Sequence, residues 1–196
     1  MADSGDLGKP SLEDNDVLSR IREGDRDAHS EIMRRYGNYV YSIARRVLSD
    51  ERLAEEAAQD AFLKALRSLD DFRGESRFST WLYRITWTTS ISKHRAEVRH
   101  RSDGLEDNTE QLASSSSSFD SIAQDNRKQL IQIALKQLRP EEAVVLTLFY
   151  LEEQQLTEIA EVVGSNVNAV KVRLHRARKH LRAVLQKQLR EEVQSL

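Results

Sequence analysis

The 196-residue sequence predicts an all-α protein, with two small helical domains joined by a flexible acidic, serine-rich linker and a helix-turn-helix in the second domain. Three observations lead there. Apolar residues recur every three or four positions through most of the chain, and Gly and Pro number only 7 and 2. Residues 102–125 break that rhythm: of these 24 residues seven are Ser, six are Asp or Glu, and none is Lys or Arg. The stretch from Leu156 to Arg182, LTEIAEVVGSNVNAVKVRLHRARKHLR, sets two helical repeats on either side of a glycine turn.

Taken in order, residues 1–13 are polar and read as a loose tail. The first domain is expected over 14–101. Leu18 and Ile21 begin an apolar face that Gly24-Asp25 interrupt. A longer helix follows with Ile32, Tyr36, Val40, Ile43 and Val47 on one stripe, and Ser49-Asp50 mark a turn and a cap. The next helix, about 51–69, has an inner stripe of Ala54, Ala58, Ala61, Phe62 and Ala65, whose small side chains let a neighbour approach closely. Its opposite face presents Glu56, Gln59, Asp60, Leu63 and Arg67. One exposed Leu is ordinary; ringed by acids it also suits a basic partner surface. Both readings stand.

Asp70 to Ser76 reads as a loop with Gly74 at its tip. The helix after it places Phe78, Trp81, Leu82, Ile85 and Thr89 inward, and Tyr83, Arg84, Trp87, Ile91 and His94 on the other face. From Phe72 to Arg101 there are seven Lys/Arg against two Asp/Glu. An outward Trp87 beside Tyr83 and Arg84 is a platform for stacking unpaired bases, worth roughly 1–3 kcal/mol per base. The alternative is that it packs on a neighbouring loop or helix.

The linker cannot bury enough apolar surface to offset its ordering entropy, and fully extended it would reach about 80 Å. The second domain is expected over 126–196. Leu130, Ile131, Ile133, Ala134, Leu135 and Leu138 build one helix, Pro140 opens the next, and Ala143 to Leu151 is apolar round most of its circumference, as for a bundle centre. Thr157 is expected to cap the following helix and Gly164 to end it, with Ser165 and Asn166 capping the last. On that last helix Val170, Leu174, Ala177, Leu181 and Leu185 form the back, and Asn168, Lys171, Val172, His175, Arg176 and Lys179 the front. Between Val162 and Arg190 stand eight Lys/Arg and no Asp/Glu. An apolar back with a basic, hydrogen-bonding front fits the DNA major groove; a membrane surface or an acidic protein is the alternative partner.

Composition narrows the classes further. The net charge is only −2, so the DNA signal lies in segregation of charge. No cysteine is present, which excludes a disulfide framework and a thiolate metal site and fits a reducing cytoplasm. No apolar run reaches the roughly 18 residues of a membrane span, and MADSGDLGKP lacks an apolar signal segment. No Gly-rich phosphate loop or nucleophile–base set is visible. The five His are scattered, and His175 and His180 are five apart, a poor ligand spacing on a helix. Neither cofactor, metal, catalytic residue nor membrane insertion is expected.

AEEAAQDAF at 54–62, FRGESRFSTWLYRI at 72–85 and LTEIAEVVGSNVNAVKVRLHRAR at 156–178, in that order and spacing, resemble bacterial extracytoplasmic-function (group IV) RNA polymerase sigma factors of the sigma-70 family. The resemblance covers roughly residues 14–190. It implies that Glu56, Gln59, Asp60 and Leu63 dock on the clamp helices of the polymerase β′ subunit. It implies that Phe72, Arg73, Tyr83, Arg84, Trp87, Thr88 and Lys93 read and open the minus-ten element, and that Asn168, Lys171, Val172, His175, Arg176 and Lys179 read the minus-thirty-five element while their domain binds the β flap. Promoter DNA, polymerase core and an anti-sigma factor are the implied partners. Two positions depart from the family. Thr88 stands where Asn is frequent, offers fewer hydrogen-bonding groups, and on the wheel lies nearer the core side. Val172 stands where a small polar residue is frequent, and can contact a thymine methyl without a hydrogen bond. Two rivals use the same features: a dimeric helix-turn-helix regulator that reads a palindrome without polymerase, and a helical adaptor whose basic last helix binds an acidic protein.

Overall fold

The structure is a computed structural model that describes residues 12–103 and 130–194. The helices are α1 (Leu12–Arg22), α2 (Arg26–Val47), α3 (Glu51–Arg67), α4 (Phe78–Asp103), α5 over residues 130–136, α6 (Pro140–Tyr150), α7 (Leu156–Val162) and α8 (Val167–Gln194). A single 3-10 turn, Leu69–Asp71, follows α3, and no strand occurs among the described residues. Of the expected tail and linker, Leu12 and Glu13 belong to α1 and Ser102 and Asp103 continue α4; the rest of both, and residues 126–129, lie outside the described residues.

Most helix ends are written locally. Gly24 takes φ +88, a cheap conformation without a Cβ, and the Asp25 carboxylate then accepts from the Asp27 amide at 2.9 Å to start α2. Asp50 does the same for α3, accepting from the Leu53 amide at 2.8 Å. Pro140 opens α6 at a position whose N–H has no helical partner. The cap of α7 differs from expectation: the helix starts at Leu156, one residue before Thr157, and the cap is Gln155. The Gln155 amide donates to the Glu158 carboxylate at 2.8 Å, a capping-box contact that displaces the threonine from the role.

Two cores form. The first lies wholly in α1–α4 and their turns: Leu18, Ile21 and Ile32 meet Ala61, Phe62, Ala65, Phe78 and Leu82. Asp14 is buried above it and receives the Arg35 guanidinium and the Tyr36 hydroxyl, each at 2.7 Å. The second core is shared by the two halves of the chain. Ile43, Val47 and Leu48 from α2 and its end, Ala54 and Ala57 from α3, and Tyr83 and Trp87 from α4 join Leu135, Leu138, Val144, Leu148, Ile159, Val170 and Leu174. Every residue from Glu142 to Leu148 is buried, so α6 is the centre its sequence suggested.

Candidate nucleic-acid interface

The helix-turn-helix is α7, the Val163–Asn166 turn and α8. Gly164 takes φ +62, and the Ser165 amide donates to Ala160 O at 2.8 Å, closing α7 tightly. Asn166 Oδ1 then accepts from the Ala169 amide at 2.8 Å and starts α8. The back of α8 is seated: Val170, Leu174 and Ala177 are buried, Leu181 and Leu185 half-buried. The front is open. Asn168, Lys171, Val172, His175, Arg176 and Lys179 are all exposed, Val172 at 50%. Arg178 lies to one side, with its guanidinium 5.4 Å from the ring centres of both Phe149 and Tyr150. Near it an open groove of about 320 Å3 is lined by Leu146, Tyr150, Leu181, Leu185 and Leu189.

The α4 region differs from its sequence reading. The wheel put Tyr83 and Trp87 opposite Phe78 and Leu82, and they do lie on the opposite side, but that side is covered. Tyr83 is 2% and Trp87 8% exposed, both within the shared core. Phe72 is also buried, 5.7 Å from the Phe78 ring and 5.2 Å from that of Trp81. Trp81 itself is half-buried. The loop before α4 is held by Arg22, which donates to the carbonyls of Leu69 at 3.3 Å and Phe72 at 3.4 Å, and turns at Gly74, φ +72. Arg73 and Arg84 are exposed. So is Thr88, which the wheel had placed toward the core; its hydroxyl donates to Arg84 O and Ile85 O, each at 3.0 Å, and so bonds within its own helix.

On α3, Gln59 and Leu63 are exposed, Leu63 at 50%, and Glu56 and Asp60 are half-exposed. Lys93 joins this face to α4. Its ammonium lies 2.9 Å from Asp60 Oδ2 and 3.5 Å from Glu56 Oε2. Burial works to lower the Lys93 pKa, but the two carboxylates outweigh it and the net shift is upward. The pairs are partly exposed, so each contributes at most about 1 kcal/mol. Two sets of residues expected to act separately are therefore in contact.

Sequence reasoning missed the polar residues that bind the two halves together. Arg77 Nε lies 3.2 Å from Glu158 Oε1, the carboxylate whose other oxygen caps α7. The Thr80 hydroxyl donates to Gln154 Oε1 at 3.3 Å, and the Tyr83 hydroxyl donates to Glu152 Oε2 at 3.1 Å. Burial pushes the Glu152 carboxyl up to about 7, although the Tyr83 bond works in the opposite direction. The same burial, with the Glu152 charge, raises the Tyr83 hydroxyl above its ordinary range. The signal for this face was present: Thr80, Thr86, Thr89 and Ser90 put small polar groups around α4 where a solvated helix carries long charged ones, and all four are buried.

An open basic helix on an apolar seat, tied to a second helical unit built round a long aromatic helix, defines a two-part DNA-binding protein. Residues 32–100 match the family description Sigma-70 region 2, and residues 128–181 match Sigma-70, region 4. The chain is 32% identical over 183 residues to the ECF RNA polymerase sigma factor SigW of Bacillus subtilis, covering 89% of this chain and 95% of that one. It is 30% identical over 175 residues to the ECF RNA polymerase sigma-E factor of Escherichia coli K12, covering 85% and 91%. Among solved structures it resembles the sigma factor RpoE of Bartonella quintana, solved with the anti-sigma factor NepR (TM-score 0.66, 21% identity, 80% of this chain and 96% of that one). It also resembles CnrH, solved with the cytosolic domain of CnrY (TM-score 0.63, 24% identity, 89% and 97%). At these identities the two structures speak for the fold. The chain belongs to the sigma-70 family of RNA polymerase sigma factors, in its extracytoplasmic-function group. It is a transcription factor subunit that joins polymerase core and directs initiation at promoters. No described helix is long and apolar enough to cross a membrane.

Proposed function

We propose that the front of α8 reads the minus-thirty-five element, and that the 72–77 loop with α4 reads and opens the minus-ten element. Exposure of all six front residues above a buried back supports the first part most directly. Lys171, Arg176 and Lys179 supply phosphate or guanine contacts, Asn168 and His175 can hydrogen-bond base edges, and Val172 meets a thymine methyl. Opening uses Arg73, Arg84 and Lys93 on the backbone and Phe72, Tyr83, Trp87 and Thr88 around unstacked bases.

In the same reading, Glu56, Gln59, Asp60 and Leu63 meet the β′ clamp helices, and the groove lined by Leu146, Tyr150 and Leu181 gives the β flap an apolar seat. The domain divisions are 14–101 and 126–196. The chain works in the cytoplasm and makes no bonds itself; polymerase core supplies the active site. An anti-sigma factor holds it inactive, a reading supported by the complex in which RpoE was solved with the anti-sigma factor NepR.

Run-off transcription with purified bacterial core polymerase, with and without this chain, on a library of promoter fragments tests the proposal. Chain-dependent initiation at a defined set of promoters is expected, sharing one minus-thirty-five and one minus-ten sequence. Absence of both initiation and core binding would refute it.

A further inference from the structure

The two halves of this chain meet on the face of α4 that the proposed function assigns to strand capture. Three polar contacts cross from α4 and its start to one short stretch: Arg77 to Glu158, Thr80 to Gln154 and Tyr83 to Glu152. Between two of the three acceptors stands Glu153, with φ +49. That left-handed conformation is costly for a residue with a Cβ. It reverses the chain so that Glu152 and Gln154, its two neighbours, both reach α4. A fourth contact, Arg46 to Gln132 at 2.6 Å, ties α2 to α5. Beneath these bonds Tyr83 and Trp87 share a core with α6, α7 and α8.

The seam is not built as a permanent core. Glu152 is half-buried against a tyrosine hydroxyl instead of a cation. Arg46 Nε, Ser90 Oγ and Thr147 Oγ1, on the three helices that bring the halves together, are buried without a hydrogen-bond partner. Apolar burial holds such a surface shut, and the unmet polar groups favour its release into water. The open face of α8 takes no part, so the reading helix stays available while the opening helix is covered.

We infer that the free chain masks itself: the α6–α7 loop and α7 dock on α4 as an intramolecular cover, and they must leave before Tyr83 and Trp87 can take a melted strand. This rests on the assignment of α4 to strand capture. The occupant of the face is the chain's own second half, so the mask needs no other protein. Binding to polymerase and promoter then draws on the fraction of molecules that are open, and apparent affinity falls by that fraction.

The absence of cysteine allows clean labelling. Cysteines at Glu23 and Ala183, both exposed and one in each half, carry a donor and an acceptor dye on the full chain. The free chain is expected to show one high-transfer population. Glu152→Ala with Gln154→Ala should move it toward low transfer while circular dichroism stays helical, and Glu152→Gln, which keeps an acceptor for Tyr83, should not. Adding core polymerase and promoter should lower transfer in the wild-type chain. In run-off titrations the double variant should reach half-maximal initiation at about three- to tenfold lower concentration, as for a chain freed from a mostly closed state. A broad low-transfer distribution in the free wild-type chain, unchanged by the double variant, would overturn the inference; so would high transfer persisting in an active promoter complex. High transfer lost in the double variant, with no initiation from either chain, would uphold the seam and count against the functional reading instead.

Discussion

The last helix and the long helix α4 are both amphipathic segments of basic character, yet they end in opposite environments. In α8 one side is seated on α6 and α7 and the other faces water with all six of its front residues. In α4 one side, Phe78 and Leu82, enters the first core, and the opposite side, Tyr83 and Trp87, enters the second. A helix presents a functional face in a given state only if nothing else in the chain finds that face a better solvent than water. The basic front of α8 offers no apolar surface to compete for beyond Val172. Tyr83 and Trp87 offer a great deal, and burial of such rings is worth a few kcal/mol apiece.

That contrast can be broken at either helix. The largest effect is expected from Trp87→Ala. Because the ring is 8% exposed and packs in the shared core, the change should destabilise the protein by about 3 kcal/mol in urea unfolding. A loss below about 1 kcal/mol would mean that the face is open in solution. Arg176→Ala is the counterpart on the exposed helix. Its unfolding midpoint should stay within about 0.5 kcal/mol of wild type, while affinity for a promoter identified by run-off falls by about 1–3 kcal/mol. A destabilised Arg176→Ala chain would show that the front is not free.

Asn166→Ala removes the side-chain cap of α8 and should cost about 1 kcal/mol, read as lost helicity and a lower melting temperature without a change in dye transfer across the seam. The smallest shift is expected with pH. Glu152 faces Tyr83 from α4 and stands beside Gln154, with Thr80 and the Arg77–Glu158 pair along the same seam. Its carboxyl is held at about 7 when the halves are closed, against an ordinary value of 4.5. A raised carboxyl binds its proton more tightly in the closed state, so closure is favoured below that ordinary value and weakens as pH rises through about 7. High transfer should therefore decline between about pH 4.5 and 7 and level off above that, and Glu152→Gln should remove the decline. Half-burial keeps the effect modest, because solvent screens the charge in both states.

The helices themselves were readable because their signals are local. Asp25, Asp50, Pro140, Gly164 and Asn166 act on their own turns and no distant residue could reassign them. Thr157 was misread for an equally local reason: Glu158 one residue on offered its carboxylate to the Gln155 amide, and the helix began earlier. The six exposed front residues of α8 were legible because the stripe behind them is unbroken and the charge is of one sign. Thr88 was misplaced by a wheel that assumed a single inward face, which a helix buried on two sides does not have.

The sequence by itself determined the all-α class, the helix-turn-helix and the exposed basic face of its second helix, and the family, since each depends on periodicity, caps and short motifs within a few turns of chain. Only the tertiary structure decided that Tyr83 and Trp87 are covered, that Lys93 bridges to Glu56 and Asp60, and that Arg77, Glu152, Gln154 and Glu158 join the halves. Those contacts link residues 33 to 81 positions apart in the chain. A periodic pattern records that a face is apolar, but the partner that covers it is chosen by competition among distant surfaces and water, and that choice is made only when the whole chain packs.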